Sequence, residues 1–149
     1  MAEIFNENNI FIVEDNLEDK EQLFKLIAND AYNLGYVKSN EECFRGLLTR
    51  ESQQTTGFQD GFAIPHCKDQ TVQNPRLLIY KTSPIPWNSL DGQAIVFSFV
   101  LLIPEDSAKE HLRYLAKISK SLIDESFRQR LKTADKITIH QLVCRNLEV

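Results

Sequence analysis

Residues 94–104 read AIVFSFVLLIP, an uncharged run of 11 residues whose one polar side chain is Ser98. The run is far short of the ~20 apolar residues that cross a bilayer. Its β-branched and aromatic content, closed by a proline, reads as a strand over residues 95–103 apolar enough to be covered on both faces. Such a strand needs a packed layer on each side, which directs the chain toward a sheet sandwiched between helices. With 149 residues there is room for one hydrophobic core, and no repeat or Gly/Ser/Pro-rich linker divides it. We expect a single domain over residues 1–149.

The rest of the chain supplies the layers. Ile10-Phe11-Ile12-Val13 is a short apolar run, and a helical pattern follows from about Leu17, with Asn16 as its expected N-cap and Leu23, Phe24, Ile27, Ala28 and Ala31 on one face. Gly35 stops it. Ser39 with Glu42 forms a capping box for a second helix, whose Cys43, Phe44, Leu47 and Leu48 make a buried stripe that fades near Glu51. A polar loop, SQQTTGFQDG, leads to a strand at Phe62-Ala63-Ile64 that Pro65, lacking an N–H, is expected to end. Leu77-Leu78-Ile79-Tyr80 is a further strand. After Pro104, Ser107 and Glu110 form a second expected capping box, and His111, Leu115, Ile118 and Leu122 recur on one helical face. Asp124 and Thr133 are the expected caps of two last helices. The pattern predicts an α/β/α sandwich with a mixed, mostly parallel sheet of about five strands flanked by helices.

Charge and motifs narrow the function. With 17 basic and 21 acidic residues the chain has a net charge of −4, which offers no basic field for nucleic acid or an anionic membrane surface. Three widely spaced cysteines, Cys43, Cys67 and Cys144, without a CxxC, argue against a disulfide framework, and the amino-terminal MAEIFNENNI lacks the pattern of a signal peptide. A cytoplasmic protein is expected. No phosphate-binding loop, dinucleotide fingerprint, HExxH or GxSxG is present, so no nucleotide cofactor is expected. His66, His111 and His140 stand on separate elements, so no metal site is expected either.

What remains is the segment from Arg50 to Cys67. Gly57 and Gly61 permit close approach of a ligand, and Pro65 stiffens the chain before His66. His111 falls one turn into a helix that begins where the long strand ends, the end of a sheet at which ligand sites collect. Taken singly, each has a structural explanation: His66 a loop histidine, His111 a core histidine, Arg50 a cation at a helix C-terminus. Together, two neutral imidazoles, a guanidinium and loop amides suit a transferable phosphoryl group. Without a nucleotide site, the donor would be another phosphoprotein. A cysteine mechanism on Cys67 is the weaker alternative, because neighbouring side chains on a strand diverge.

The ordered set Arg50-Glu51, Thr55-Thr56-Gly57, Gly61-Phe62-Ala63-Ile64-Pro65-His66, Pro86-Trp87, Leu90-Asp91-Gly92 and His111-Leu112 resembles the enzyme IIA domain of the bacterial sugar phosphotransferase system, fructose/mannitol class. That class includes nitrogen-regulatory enzyme IIA proteins. The resemblance covers almost the whole chain. It implies that His66 is phosphorylated at Nε2 by the phosphocarrier HPr and that the phosphoryl group passes to an enzyme IIB domain, with membrane enzyme IIC downstream. It implies that His111 supports the phosphoryl group, that Arg50 lies at the site, and that Thr56 and Gly57 contribute to phosphoryl binding. His140 matches no motif and is taken as structural. A fructose-like transport role is expected, with a phosphorylation-dependent regulatory module as the alternative.

Overall fold

The computed structural model describes residues 3–149, so the first two residues of the amino-terminal run lie outside it. At its centre is the expected strand, β6 (Ile95–Pro104), buried along its length except at Val96. Side chains alternate across a strand, and this one divides the core in two. Phe97, Phe99, Leu101 and Ile103 pack with residues of the three carboxyl-terminal helices, and Val100 and Leu102 with residues of the two amino-terminal helices.

The sheet runs β1 (Ile10–Val13), β5 (Arg76–Ile85), β6, β3 (Phe62–Ala63), β2 (Gly57–Gln59), with β4 (His66–Asp69) also beside β6. It is mixed, as expected. β1/β5, β3/β6 and β4/β6 are parallel, and β2/β3 and the long β5/β6 pair are antiparallel. Two of the six strands lie where none was located: β2 in the run taken as loop, and β4 after Pro65. Asp60 and Gly61, with φ of +56° and +82°, make a tight turn that folds residues 57–63 into a hairpin. Arg128 Nε, Gln129 Nε2 and Lys132 Nζ all donate to the Asp60 carboxylate, tying this hairpin to the helix they occupy.

The helices are α1 (Lys20–Asn33), α2 (Asn40–Gln53), α3 (Ala108–Ser121), α4 (Glu125–Thr133) and α5 (Lys136–Leu147). No described helix is long and apolar enough to cross a membrane. Several boundaries differ from expectation. Asp19, not Asn16, caps α1, its carboxylate accepting from Gln22 N–H. Ser39 caps α2 through Glu42 N–H, but the N–H of Ser39 donates to Thr71 Oγ1 rather than to Glu42, so the box is half formed. Ser107 precedes α3 without a side-chain capping bond. Asp135 caps α5, and Thr133 instead ends α4, because Ala134 is extended and a carboxylate one residue later meets Thr138 N–H.

α2 crosses β4 at minimal distance. A Cβ on Gly46 would lie 2.5 Å from Cys67 Sγ, so this glycine is required by contact rather than by backbone angle. Gly46→Ala is expected to lower stability by roughly 1–3 kcal/mol. Urea unfolding midpoints will show this, with part of the loss recovered in the Gly46→Ala/Cys67→Ala double variant.

Candidate active site

The site is built on an interruption. The strand ends before Pro65, as expected, but the chain goes on beside β6: pairing stops at Ala63 and resumes in β4 at His66, opposite Leu101. Every backbone group in the gap has a partner. Ile64 N–H donates to Thr56 O at 3.0 Å, Leu101 N–H donates to Pro65 O at 3.0 Å, and Pro65 has no N–H to satisfy. The Ile64 carbonyl, outside the ladder, accepts from His66 Nδ1 at 2.8 Å.

On the other side of the ring, Arg50 Nε donates to His66 Nε2 at 2.8 Å, and Arg50 NH1 donates to the Gln54 carbonyl at 2.7 Å. A carbonyl only accepts and a guanidinium only donates, so the two contacts fix the tautomer: the proton is on Nδ1 and the lone pair on Nε2. His66 is 4% exposed. Burial, reinforced by the fields of Arg50 and His111 and opposed by the Ile64 bond and Glu51, pushes its pKa down to about 4. The imidazole is neutral at pH 7.

His111 reaches the same place from α3, its ring centroid 5.0 Å from that of His66. Its Nε2 is buried with no hydrogen-bond partner. Burial, then the charges of Lys68 and Arg50, hold this ring below its usual pKa as well. A cleft of about 570 Å³ opens beside His66, lined in part by Arg45, Thr49, Arg50, His66, Lys68 and Asp69.

Thr56 and Gly57 serve the framework rather than the cleft. The Thr56 amide donates to Glu51 Oε2 at 2.9 Å and its hydroxyl to Glu51 Oε1 at 2.5 Å, leaving neither donor free. Gly57 is needed because a Cβ there would lie 2.8 Å from Trp87 Cδ1. Glu51 is the residue that sequence reasoning undervalued. Buried, it also accepts from Trp87 Nε1 at 3.0 Å and pairs with Lys20 Nζ at 3.4 Å, joining α1, α2, the loop and Trp87. The signal was its spacing: Cys43, Leu47 and Glu51 stand at i, i+4 and i+8, a carboxylate on the buried stripe.

The cysteine alternative fails. Cys67 is fully buried against α2, and its hydrogen bond with Cys43 together with burial pushes the thiol strongly upward, the reverse of what a thiolate nucleophile needs. His140 stacks on Phe5 and contacts Cys144 Sγ at 3.5 Å. Among the described residues it makes no hydrogen bond or ring pair with His66 or His111.

A buried neutral His66 with its lone pair held by Arg50, beside the half-buried ring of His111, has the lone pair and the cationic and polar surroundings that a nucleophile needs. The family model described as "Phosphoenolpyruvate-dependent sugar phosphotransferase system, EIIA 2" matches residues 3–145. The chain belongs to that family, whose members are components of a phosphoryl-transfer system. It is 34% identical over 115 residues to a nitrogen regulatory protein of Pseudomonas aeruginosa, covering 76% of this chain and 72% of the relative. It is 28% identical over 138 residues to a fructose-specific EIIA component of Haloferax volcanii, covering 91% and 90%. The match to a fructose-specific EIIABC component of Mycoplasma pneumoniae is 27% identical over 116 residues, and there the chain spans 17% of the relative's length. Among solved structures, the nitrogen regulatory protein IIA-Ntr of Neisseria meningitidis has a TM-score of 0.87 at 25% identity, covering 94% of this chain and 96% of that one. A complex of enzyme IIAMTL with phosphorylated enzyme IIBMTL from Escherichia coli matches with a TM-score of 0.79 over 95% of this chain and 97% of that one. At 17% identity it shows the shared fold.

Two outcomes are expected. Glu51→Ala leaves two N–H groups and a hydroxyl without an acceptor, which should cost roughly 2–4 kcal/mol in urea unfolding and shift the Trp87 emission. The second concerns pH. Because His66 titrates near 4 when folded and near 6.5 otherwise, the unfolded chain takes the proton first. The contribution of His66 to stability is complete above pH 6.5 and is lost as pH falls toward 4, by up to about 1.4 kcal/mol per unit. Unfolding of the wild type and His66→Gln across that window measures the difference in slope.

Proposed function

We propose that this chain is a cytoplasmic phosphohistidine carrier that accepts a phosphoryl group on His66 Nε2 from phospho-HPr and passes it to an enzyme IIB domain, which serves a membrane enzyme IIC. The observation that carries this reading is the fixed tautomer, which puts the lone pair of a neutral imidazole on Nε2, where Arg50 Nε–H holds it at the edge of the cleft.

The step balances with the groups present. The Nε2 lone pair forms a P–N bond as the donor's P–N bond breaks, and the departing ring nitrogen keeps that electron pair. Positive charge developing on His66 is held at Nδ1–H against the Ile64 carbonyl. One lone pair serves one partner, so Arg50 Nε–H leaves Nε2 as the bond forms and turns to the phosphoryl oxygens, anchored through NH1 at Gln54. His111 Nε2, unpartnered at rest, gains a phosphoryl oxygen. Onward transfer is the same sequence reversed against the IIB side chain.

A fructose-like transport role is the reading we favour, supported by the fructose-specific Haloferax relative, which matches at nearly full length. A regulatory module using the same phosphohistidine is the second reading, supported by the Pseudomonas and Neisseria nitrogen regulatory proteins. Incubation with labelled phosphoenolpyruvate, enzyme I and HPr should give label that survives alkali and is lost in acid. His66→Ala should abolish it, and label persisting in that variant overturns the assignment. His111→Ala should accept label but pass it to a fructose-type IIB roughly 10- to 100-fold more slowly. Arg50→Ala should raise the His66 pKa, read by ring NMR, while slowing acceptance. Rapid chase of label into that IIB supports transport, and no chase with retained labelling supports regulation.

A further inference from the structure

Arg50 brings one positive charge to a site that, on the phosphohistidine reading above, must hold a phosphoryl group carrying close to two negative ones. His111 is held neutral at rest, and Glu51 adds an opposing charge nearby. β4 provides a second cation.

We propose that Lys68 is the second cation of the phosphoryl site, its ammonium binding an oxygen of the group carried on His66. Alternation along β4 places His66 and Lys68 on one face and Cys67 and Asp69 on the other. The second pair faces α2, since the Cβ position of Gly46 lies 2.5 Å from Cys67 Sγ and 3.9 Å from Asp69 Cβ. The first pair therefore faces the side from which α3 presents His111. Residues two apart on a strand have Cα atoms about 6.6 Å apart, which a lysine stem spans to reach a group projecting beyond the imidazole. Lys68 lines the same cleft as Arg50 and His66, and it forms no hydrogen bond or ion pair among the described residues. The other cation there, Arg45, is exposed on α2 and shares no strand face with His66. After burial, the Lys68 charge is the largest influence lowering the His111 pKa, which agrees with an ammonium on the side of the sheet where His111 stands.

The test compares Lys68→Gln and Lys68→Arg with wild type in the HPr phosphorylation assay, with urea midpoints as the folding control and ³¹P NMR of the phosphorylated proteins. Lys68→Gln is expected to fold with an unchanged midpoint and to accept label roughly 10- to 100-fold more slowly. The phosphoryl resonance should titrate at higher pH than in wild type. Lys68→Arg should restore most of the rate and the wild-type ³¹P titration. Acceptance at the wild-type rate in Lys68→Gln overturns the proposal. Slowed acceptance with an unchanged ³¹P titration also overturns it, since the lysine would then act on donor docking and not on the bound group. If wild type takes no label on His66, the carrier reading itself fails, an outcome distinct from wild type and variant labelling equally.

Discussion

The site depends on one hydrogen bond, from His66 Nδ1–H to the carbonyl of Ile64. In an uninterrupted strand that carbonyl would belong to the ladder and the ring nitrogen would have no nearby acceptor. Pro65 lacks the N–H that continuous pairing would require, so the chain leaves the ladder for two residues and rejoins it with Leu101 bonded to Pro65 O. The released carbonyl takes the Nδ1 proton, and the lone pair is thereby assigned to Nε2. The same break leaves β4 paired with β6 alone. No further strand stands between Nε2 and Arg50 of α2, while α3 covers the ring with His111.

Glu51 and Arg50 show how adjacent residues of one helix divide structural and chemical work. A buried carboxylate is costly unless donors surround it, and Glu51 has four: the Thr56 amide and hydroxyl, the Trp87 indole and Lys20. These bonds fix the loop that contains Gln54, whose carbonyl anchors Arg50. The two charges pull the His66 pKa in opposite directions, and burial outweighs both. The His66 ring is therefore kept neutral chiefly by its packing.

The central strand, the layers around it, and the grouping of Arg50, His66 and His111 were legible because each rests on a local pattern: an uncharged run, a 3.6-residue stripe, a Gly-Pro-His string. Details decided by competition between neighbours were not. Asn16 and Asp19 both suit an N-cap, and the carboxylate whose position fits Gln22 prevails. Asp60-Gly61 carried a hairpin signal that the surrounding polar residues hid. Thr56 looked free to bind a ligand because nothing in its own surroundings reveals that a carboxylate five residues earlier takes both its donors. Pro65 correctly marked a break, but only pairing with β6 shows that the strand resumes.

The resting site carries costs that the phosphohistidine reading proposed above accounts for. A buried imidazole nitrogen without a partner, as at His111 Nε2, disfavours the folded state by about 1–3 kcal/mol. A guanidinium occupies a neutral lone pair, a weaker bond than it would make to an anion. On that reading, an incoming phosphoryl group would remove the first cost and strengthen the second interaction. The donors are fixed by a strand, two helices and a buried carboxylate, so little reorganisation accompanies the gain. A carrier must also release its cargo, and here too the resting state helps. On the same reading, the Arg50 Nε–H would return to Nε2 when the group departs and stabilise the empty site, narrowing the gap between the loaded and unloaded forms.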